Sequence, residues 1–285
     1  MGAAFLITLR EGLEAALILS ILLAYLRRID RMDRARTIWL GAAAAAVVSL
    51  IVGTIIFGVG AEFEGTAEEV FEGLVSLTAV GVLTWMVFWM RRQGARMRTD
   101  LQERVDSALV GGGLALAGLA FAVVVREGIE TALFVFAAAK ATAVESGGAS
   151  EQLLGATLGL VAAGAIGALL YRGAVTLNIR AFFKITGALI LVVAAGLLAF
   201  SVHELQEAGW LPFLTAQAYD TSAALPHDSG LGAILHALIG YNATPSVLEV
   251  VAWAGYLIVT GTLYLRRQPA LVSSAAVAPD GSREP

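Results

Sequence analysis

Two stretches of the chain, Leu-Arg-Glu-Gly-Leu-Glu at residues 9–14 and Val-Arg-Glu-Gly-Ile-Glu at residues 125–130, repeat one charged pattern 116 residues apart. Each copy lies near the centre of a long apolar segment, where an ionisable side chain costs roughly 2.5–3.5 kcal/mol in a membrane helix. Six such groups therefore cost roughly 15–21 kcal/mol before they pair. A chain that keeps these charges in its apolar segments must pair or neutralise them. Because the pattern is duplicated, we predict that the paired cluster has a function.

The composition of the chain indicates a membrane protein. Hydrophobic residues make up 58% of the 285 residues, charged residues only 15%, and the mean hydropathy is +0.78. A soluble domain has too little interior to bury that much apolar side chain. The absence of cysteine excludes disulfides, thiolate metal sites, iron–sulfur clusters and thiol redox chemistry in this chain.

Long apolar runs predict an all-α polytopic membrane protein with seven transmembrane helices, because the runs are rich in Ala, Leu and Gly and show no alternation of period two. The predicted spans are 3–26, 38–60, 70–90, 109–139, 153–171, 182–202 and 247–265. Spans one to three and four to six form a predicted inverted 3+3 repeat, about 1–92 and about 107–202, followed by an outer segment 203–246 and the seventh helix. Together they make one permease domain, 1–267, and a disordered cytoplasmic tail is predicted at 268–285.

Lysine and arginine are confined almost entirely to one side of this topology. The connections 27–37 and 91–108 carry five arginines each, and Lys140 is the one basic residue expected on the other side. The positive-inside rule therefore predicts an outside N-terminus and a cytoplasmic C-terminus. These basic clusters lie in short connections, so nothing indicates nucleic-acid binding.

The outward connections are acidic. Residues 61–72 carry a group that we call the outer acidic mouth, Glu62, Glu64, Glu68 and Glu69, together with Glu72. Two interpretations stay open at this point: solvated loop charges, or groups that raise the local cation concentration. Within 203–246, the apolar run at 231–241 is too short to span and predicts an interfacial or re-entrant helix.

On a helical wheel, the charges of each motif share one face. At about 100° per residue, Arg10, Glu11 and Glu14 fall at about 0°, 100° and 40°, so Arg10 is predicted to pair with Glu14 one turn on. Gly12 lies off this stripe and is predicted to admit a neighbouring helix. Arg126, Glu127 and Glu130 repeat the arrangement.

Bringing the two stripes together yields four carboxylates and two guanidiniums, formally −2. Carboxylate oxygens suit hard or borderline cations, so the candidate metal ligands are Glu11, Glu14, Glu127 and Glu130, with Arg10 and Arg126 as charge partners. A divalent cation would bring the cluster to about zero and a trivalent one to about +1.

Other interpretations compete with a cation transporter. A single buried Arg–Glu pair is more often a structural ion pair, and a membrane anchor or assembly subunit would need no more. An intramembrane hydrolase could use paired glutamates to activate water, but all three histidines lie in the outer segment. The duplicated motif favours transport, in keeping with inverted-repeat transporters that bind at the repeat interface.

At these residues the chain resembles the oxidase-dependent iron transporter family, the high-affinity iron permeases of fungi and their bacterial seven-span relatives. The resemblance rests on REGLE at 10–14 and REGIE at 126–130 and covers nearly the whole chain. It implies iron uptake, as Fe³⁺ or Fe²⁺, through the motif glutamates of a protein in the inner (plasma) membrane. Another divalent cargo, such as Mn²⁺ or Pb²⁺, stays open.

The resemblance also implies an outer relay. The family uses an outer E-x-x-E element, matched here by Glu204 and Glu207. Members act with a separate extracytoplasmic oxidase or iron-binding partner, so we expect no permanently bound cofactor in this chain, with iron as the substrate.

Overall fold

The computed structural model describes residues 1–93, 97–141, 148–172, 179–226 and 230–266. The predicted disordered tail at 268–285 lies outside this range. Within it the chain is helical and forms no sheet, which confirms the all-α prediction; a short 3₁₀ turn at Met32–Arg34 precedes the second helix. The α-helices, in chain order, are α1 Gly2–Arg28, α2 Ala35–Gly60, α3 Thr66–Gln93, α4 Met97–Val110, α5 Gly113–Lys140, α6 Gly148–Tyr171, α7 Ile179–Glu207, α8 Gly230–Ile239 and α9 Val247–Leu265.

Seven of these helices correspond to the seven predicted spans. Helices α2, α3, α6, α7 and α9 each contain a segment long and apolar enough to cross a membrane. Helices α1 and α5 are as long, at 27 and 28 residues, but each carries the three charges of its motif. Five candidate spans are therefore shown by length and composition.

One predicted boundary is wrong at the middle of the chain. The connection 91–108 contains helix α4, and the helix predicted from residue 109 begins at Gly113 instead. The break lies at Gly112, whose φ of 87° is in the left-handed region that glycine tolerates. The glycines there end one helix and start the next rather than forming part of a continuous span.

Helix α7 is longer than predicted. It continues past residue 202 to Glu207, so Glu204 and Glu207 lie in its last two turns and not in a loop. The helix stops where Gly209 takes a φ of 74° and the Trp210 N–H bonds back to the Leu205 carbonyl. The short helix predicted at 231–241 is present as α8.

The helices of the two halves pack on one another reciprocally. Helix α1 lies along α6, α2 along α5, and α3 along α7, while α9 covers α7. A Cβ added at Gly12 would press on Ala163 of α6, and one added at Gly128 would collide with Ser49 of α2. The prediction that Gly12 admits a neighbouring helix is therefore confirmed.

The interior of the bundle is mostly apolar, although it also buries polar groups outside the motifs, among them Glu72, Gln152 and Glu249. The largest buried cluster joins residues of α1, α3, α5, α7 and α9. Helix α2 instead turns large apolar side chains outward, and this continuous apolar face fits lipid rather than water: Trp39, Leu40, Leu50, Ile51 and Ile55.

The α1–α6 contact generates a stability prediction for Gly159→Ala. A Cβ at Gly159 would lie 2.6 Å from the Phe5 carbonyl oxygen and closer still to the Thr8 hydroxyl, so we expect a loss of about 1–3 kcal/mol. Gly164, on the same helix, has nothing within 4 Å of an added Cβ, and alanine there should be neutral or slightly stabilising. Thermal unfolding in detergent measures both, and equal effects would contradict this account.

Candidate metal centre

The two charged motifs meet inside the bundle. Carboxylate oxygens of Glu11, Glu14 and Glu127 all lie within 4.8 Å of one another, where α1 passes α5. The three residues are 1%, 6% and 6% exposed. Three buried carboxylates at this spacing repel one another and bind a cation favourably. The predicted meeting of the two stripes is thus present for three of the four glutamates.

Arg10 is the principal counter-charge of this cluster. Its Nη1 lies 3.0 Å from Glu11 Oε1 and its Nη2 lies 3.1 Å from Glu14 Oε1. The predicted pairing of Arg10 with Glu14 is confirmed. Because Arg10 is only 1% exposed, water contributes little to stabilising its charge.

The second motif is arranged differently. Arg126 Nε lies 2.9 Å from Glu130 Oε1 and 3.9 Å from Glu127 Oε1, and its side chain is 37% exposed. Its guanidinium lies 5.0 Å from the ring centroid of Trp89 and 5.8 Å from that of Trp85. Glu130 is therefore held by Arg126 and is not one of the three mutually close carboxylates.

Sequence reasoning missed the element that holds both arginines, the stretch Trp85-Met86-Val87-Phe88-Trp89-Met90 of α3. The tryptophans lie under Arg126, while Met86 and Met90 accept from Arg10 at 3.6 Å and 2.9 Å. The signal was available as a Trp-Met pair repeated after four residues, which puts like side chains on one helical face.

Several acidic oxygens in this centre are not satisfied by protein donors. Glu11 Oε2, Glu127 Oε2 and Glu130 Oε2 are inaccessible and have no hydrogen-bond partner among the residues described. Leaving a buried charged acceptor unpaired is costly. A bound cation would coordinate such oxygens, so the arrangement is suited to holding one.

A second polar region lies at the end of the bundle where α3, α5 and α7 meet α8 and α9. A cavity of about 320 Å³, which we call the vestibule, is lined there by a group of charged or titratable side chains: Glu68, Glu72, Lys140, His203, Glu204 and Glu249. Lys140 Nζ lies 3.0 Å from Glu68 and pairs with Glu72 as well. The His203 ring lies 3.1 Å from Glu249 and 3.3 Å from Glu207.

The vestibule contains only part of the predicted outer residues. Of the outer acidic mouth, Glu68 lines it, whereas Glu69 does not and Glu62 and Glu64 are exposed elsewhere. Of the predicted relay, Glu204 lines the cavity and Glu207 contacts His203 beside it. Glu249 was missed although a carboxylate inside a predicted span is itself a signal; it also closes the capping box that starts α9.

An apolar layer separates the vestibule from the carboxylates. Ala3 and Ala138 line the cavity; one turn deeper, Ile7 and Phe134 are fully buried in the same cluster. Glu11 follows Ile7 by one further turn along α1. The carboxylate centre is therefore closed toward the vestibule in this conformation.

The chain is similar in sequence to a known protein family and to named bacterial proteins. A model of the iron permease FTR1 family matches residues 1–277. Ferrous iron permease EfeU of Escherichia coli O157:H7 is 42% identical over 261 residues, covering 90% of this chain and 93% of that protein. Ferrous iron permease EfeU of Yersinia pestis is 38% identical over 281 residues, 98% of each chain. No solved structure gives a significant match.

The unequal burial of the two arginines predicts unequal effects on stability. Arg10→Ala leaves the buried carboxylates of Glu11 and Glu14 without their main counter-charge and should destabilise by about 3–5 kcal/mol. Arg126→Ala removes a guanidinium whose side chain is 37% exposed, so water can partly replace its contact with Glu130 and the cost should be smaller, about 1–2 kcal/mol. Thermal unfolding in detergent measures the loss of stability of both variants, and a larger loss for Arg126→Ala than for Arg10→Ala would refute this prediction.

Proposed function

Because the chain belongs to the iron permease FTR1 family, we propose that it carries iron inward across the membrane through the centre formed by Glu11, Glu14 and Glu127. The family consists of permeases, so the chain is a transporter and the hydrolase alternative is wrong. The observation that carries the proposal is the set of three buried carboxylates within 4.8 Å of one another, drawn from both motifs. Glu130 acts beside them through Arg126.

We infer that the transported form is Fe²⁺. The relatives from Escherichia coli and Yersinia pestis are named ferrous iron permeases. Charge supports the same choice, because four carboxylates and two guanidiniums sum to −2 and a divalent ion brings the centre to neutrality. Fe³⁺ would leave a net positive charge in the apolar interior. Competition by Mn²⁺ and Pb²⁺ in the uptake assay separates iron from other divalent cargo.

The proposed route begins at the vestibule. Its acidic lining would concentrate cations, and Glu204, supported by Glu207 through His203, would pass them toward α1 and α5. An extracytoplasmic oxidase or iron-binding partner, implied by the family resemblance, would deliver iron at this end. Iron itself is the substrate, and we propose no permanently bound cofactor.

Uptake of radiolabelled Fe²⁺ into vesicles containing the purified chain tests the proposal. Glu14→Gln and Glu127→Gln should each lower the initial rate by about 100-fold, since each removes a ligand charge. Glu204→Gln should slow uptake at low iron and leave the saturated rate nearly unchanged. Because the proposal includes a delivery partner, we expect the purified chain alone to reach its full uptake rate only at high iron concentration.

The matched control is Glu103→Gln, an exposed glutamate of α4 far along the chain from either motif. It should transport like the unaltered chain. If Glu14→Gln and Glu127→Gln also transport normally, the carboxylate centre is not the iron site.

We further propose seven spans in the bacterial inner membrane, with α1 entering from outside. The support is the distribution of arginine over the connections and the long helices α1 and α5, which bury their charges within the bundle. In this topology α4 lies at the cytoplasmic side and the segment between α7 and α9 faces outward.

The absence of cysteine makes this topology directly testable. Ser222→Cys, in the outward segment, should react with a membrane-impermeant maleimide on intact cells. Ser107→Cys, on α4, should react only after the membrane is permeabilised. Both serines are exposed in the structure, so accessibility within the protein does not bias the comparison. The reverse labelling pattern would invert the proposed orientation.

A further inference from the structure

The sulfur atoms of Met86 and Met90 lie against the guanidinium of Arg10, beside the charge cluster. The two residues are one turn apart on α3 and are 0% and 7% exposed. Both thioethers point at the guanidinium of Arg10. A thioether carries no charge, so neither sulfur neutralises Arg10. Charge compensation therefore does not explain why the two sulfurs lie there.

The guanidinium of Arg10 is enclosed by two oxygens and two sulfurs. Nη1 lies 3.0 Å from Glu11 Oε1 and 3.6 Å from Met86 Sδ, while Nη2 lies 3.1 Å from Glu14 Oε1 and 2.9 Å from Met90 Sδ. Each terminal nitrogen therefore contacts one carboxylate and one thioether. This is a donor set of the kind that also surrounds a metal ion, occupied here by a tethered organic cation.

The fit between Arg10 and this shell is incomplete. Arg10 Nε is buried and has no acceptor among the residues described, and Glu11 Oε2 has no donor. The Glu14 Oε1 contact satisfies the distance for an ion pair without the geometry of a hydrogen bond. A compact divalent ion could use these oxygens more fully than the planar guanidinium does.

We propose that Met86 and Met90 are soft ligands that complete the iron site, and that Arg10 shifts from between the sulfurs and the carboxylates when the metal binds but stays in the buried centre as a counter-charge. The inference rests on the proposed function, since it assigns further ligands to the same centre. The site it describes is a mixed sulfur–oxygen shell of Glu11, Glu14, Glu127, Met86 and Met90.

The chemistry of such a shell gives selectivity that carboxylates lack. Carboxylates alone suit Mg²⁺, Ca²⁺ and Mn²⁺, whereas thioethers favour softer metals, and Fe²⁺ follows Mn²⁺ in the affinity order of divalent metals. Two thioethers therefore raise the preference for Fe²⁺ over Mn²⁺. The second motif offers nothing comparable, because Arg126 faces the rings of Trp85 and Trp89.

A purely packing role for the methionines makes a different prediction. Leucine has nearly the volume of methionine and usually replaces it at small cost, so packing would survive Met86→Leu and Met90→Leu. Metal coordination by these side chains would be lost, because leucine has no lone pair to donate. The double variant Met86→Leu/Met90→Leu therefore separates the two roles, and Met32→Leu, at an exposed position outside the centre, is the control.

The direct measurement is X-ray absorption at the iron edge on the full chain loaded with Fe²⁺ under reducing conditions. The unaltered chain and Met32→Leu should show sulfur neighbours of iron, and the double leucine variant should show oxygen and nitrogen neighbours only. In vesicles, the double variant should still carry Fe²⁺, with its preference over Mn²⁺ lowered about tenfold or more.

The outcomes separate this inference from the proposed function. Iron surrounded only by oxygen and nitrogen in the unaltered chain, with uptake intact, overturns the thioether ligands alone. An unchanged ratio of Fe²⁺ to Mn²⁺ uptake in the double variant overturns them as well. Failure of the unaltered chain to bind or carry iron overturns the proposed function, and the thioether ligands with it.

Discussion

The structure depends on one electrostatic constraint, which is that the charges of the two motifs, five of them largely buried, must be compensated inside a mostly apolar helical bundle. Burying Arg10 and Glu11 almost completely is tolerable only when opposite charges lie within contact distance. Each motif supplies these opposite charges itself, because the ion pairs of Arg10 lie within α1 and those of Arg126 lie within α5. The glycines of the motifs allow close packing around these charges, because Gly12 and Gly128 let α6 and α2 approach the charged helices closely. The reciprocal packing of the two halves follows from these contacts.

The third helix makes the two copies unequal. An internal repeat alone would give two equivalent arginines, but α3 offers thioethers to Arg10 and indole rings to Arg126. As a result, one guanidinium is sealed in the core and the other remains half exposed. Glu130 follows Arg126 away from the close group of carboxylates, so that the centre takes two glutamates from the first motif and one from the second. Two copies of one motif therefore form a single asymmetric site.

Much of the site was readable from the sequence because the motif geometry is local. Helical spacing alone predicts that Arg10 reaches Glu14 and that Gly12 faces another helix, and both predictions are confirmed. Helical spacing does not predict the unequal roles of Glu127 and Glu130, since these roles depend on residues of α3 that lie far away along the chain. The contribution of Met86 and Met90 was missed for the same reason. The end of α7 was misplaced because His203 to Glu207 is polar yet continues the helix until Gly209, and hydropathy marks the edge of an apolar run rather than the end of a helix.

The buried layer of Ile7 and Phe134 has a kinetic consequence. Among the described residues, these two fully buried side chains lie between the vestibule and the glutamates, so on the proposed route an ion would not pass as it does through an open pore. On the proposed route these side chains have to move aside for each ion, and movements of packed helices occur in microseconds to milliseconds. Transport by this route would be saturable, as in a carrier, and would give no measurable single-channel current.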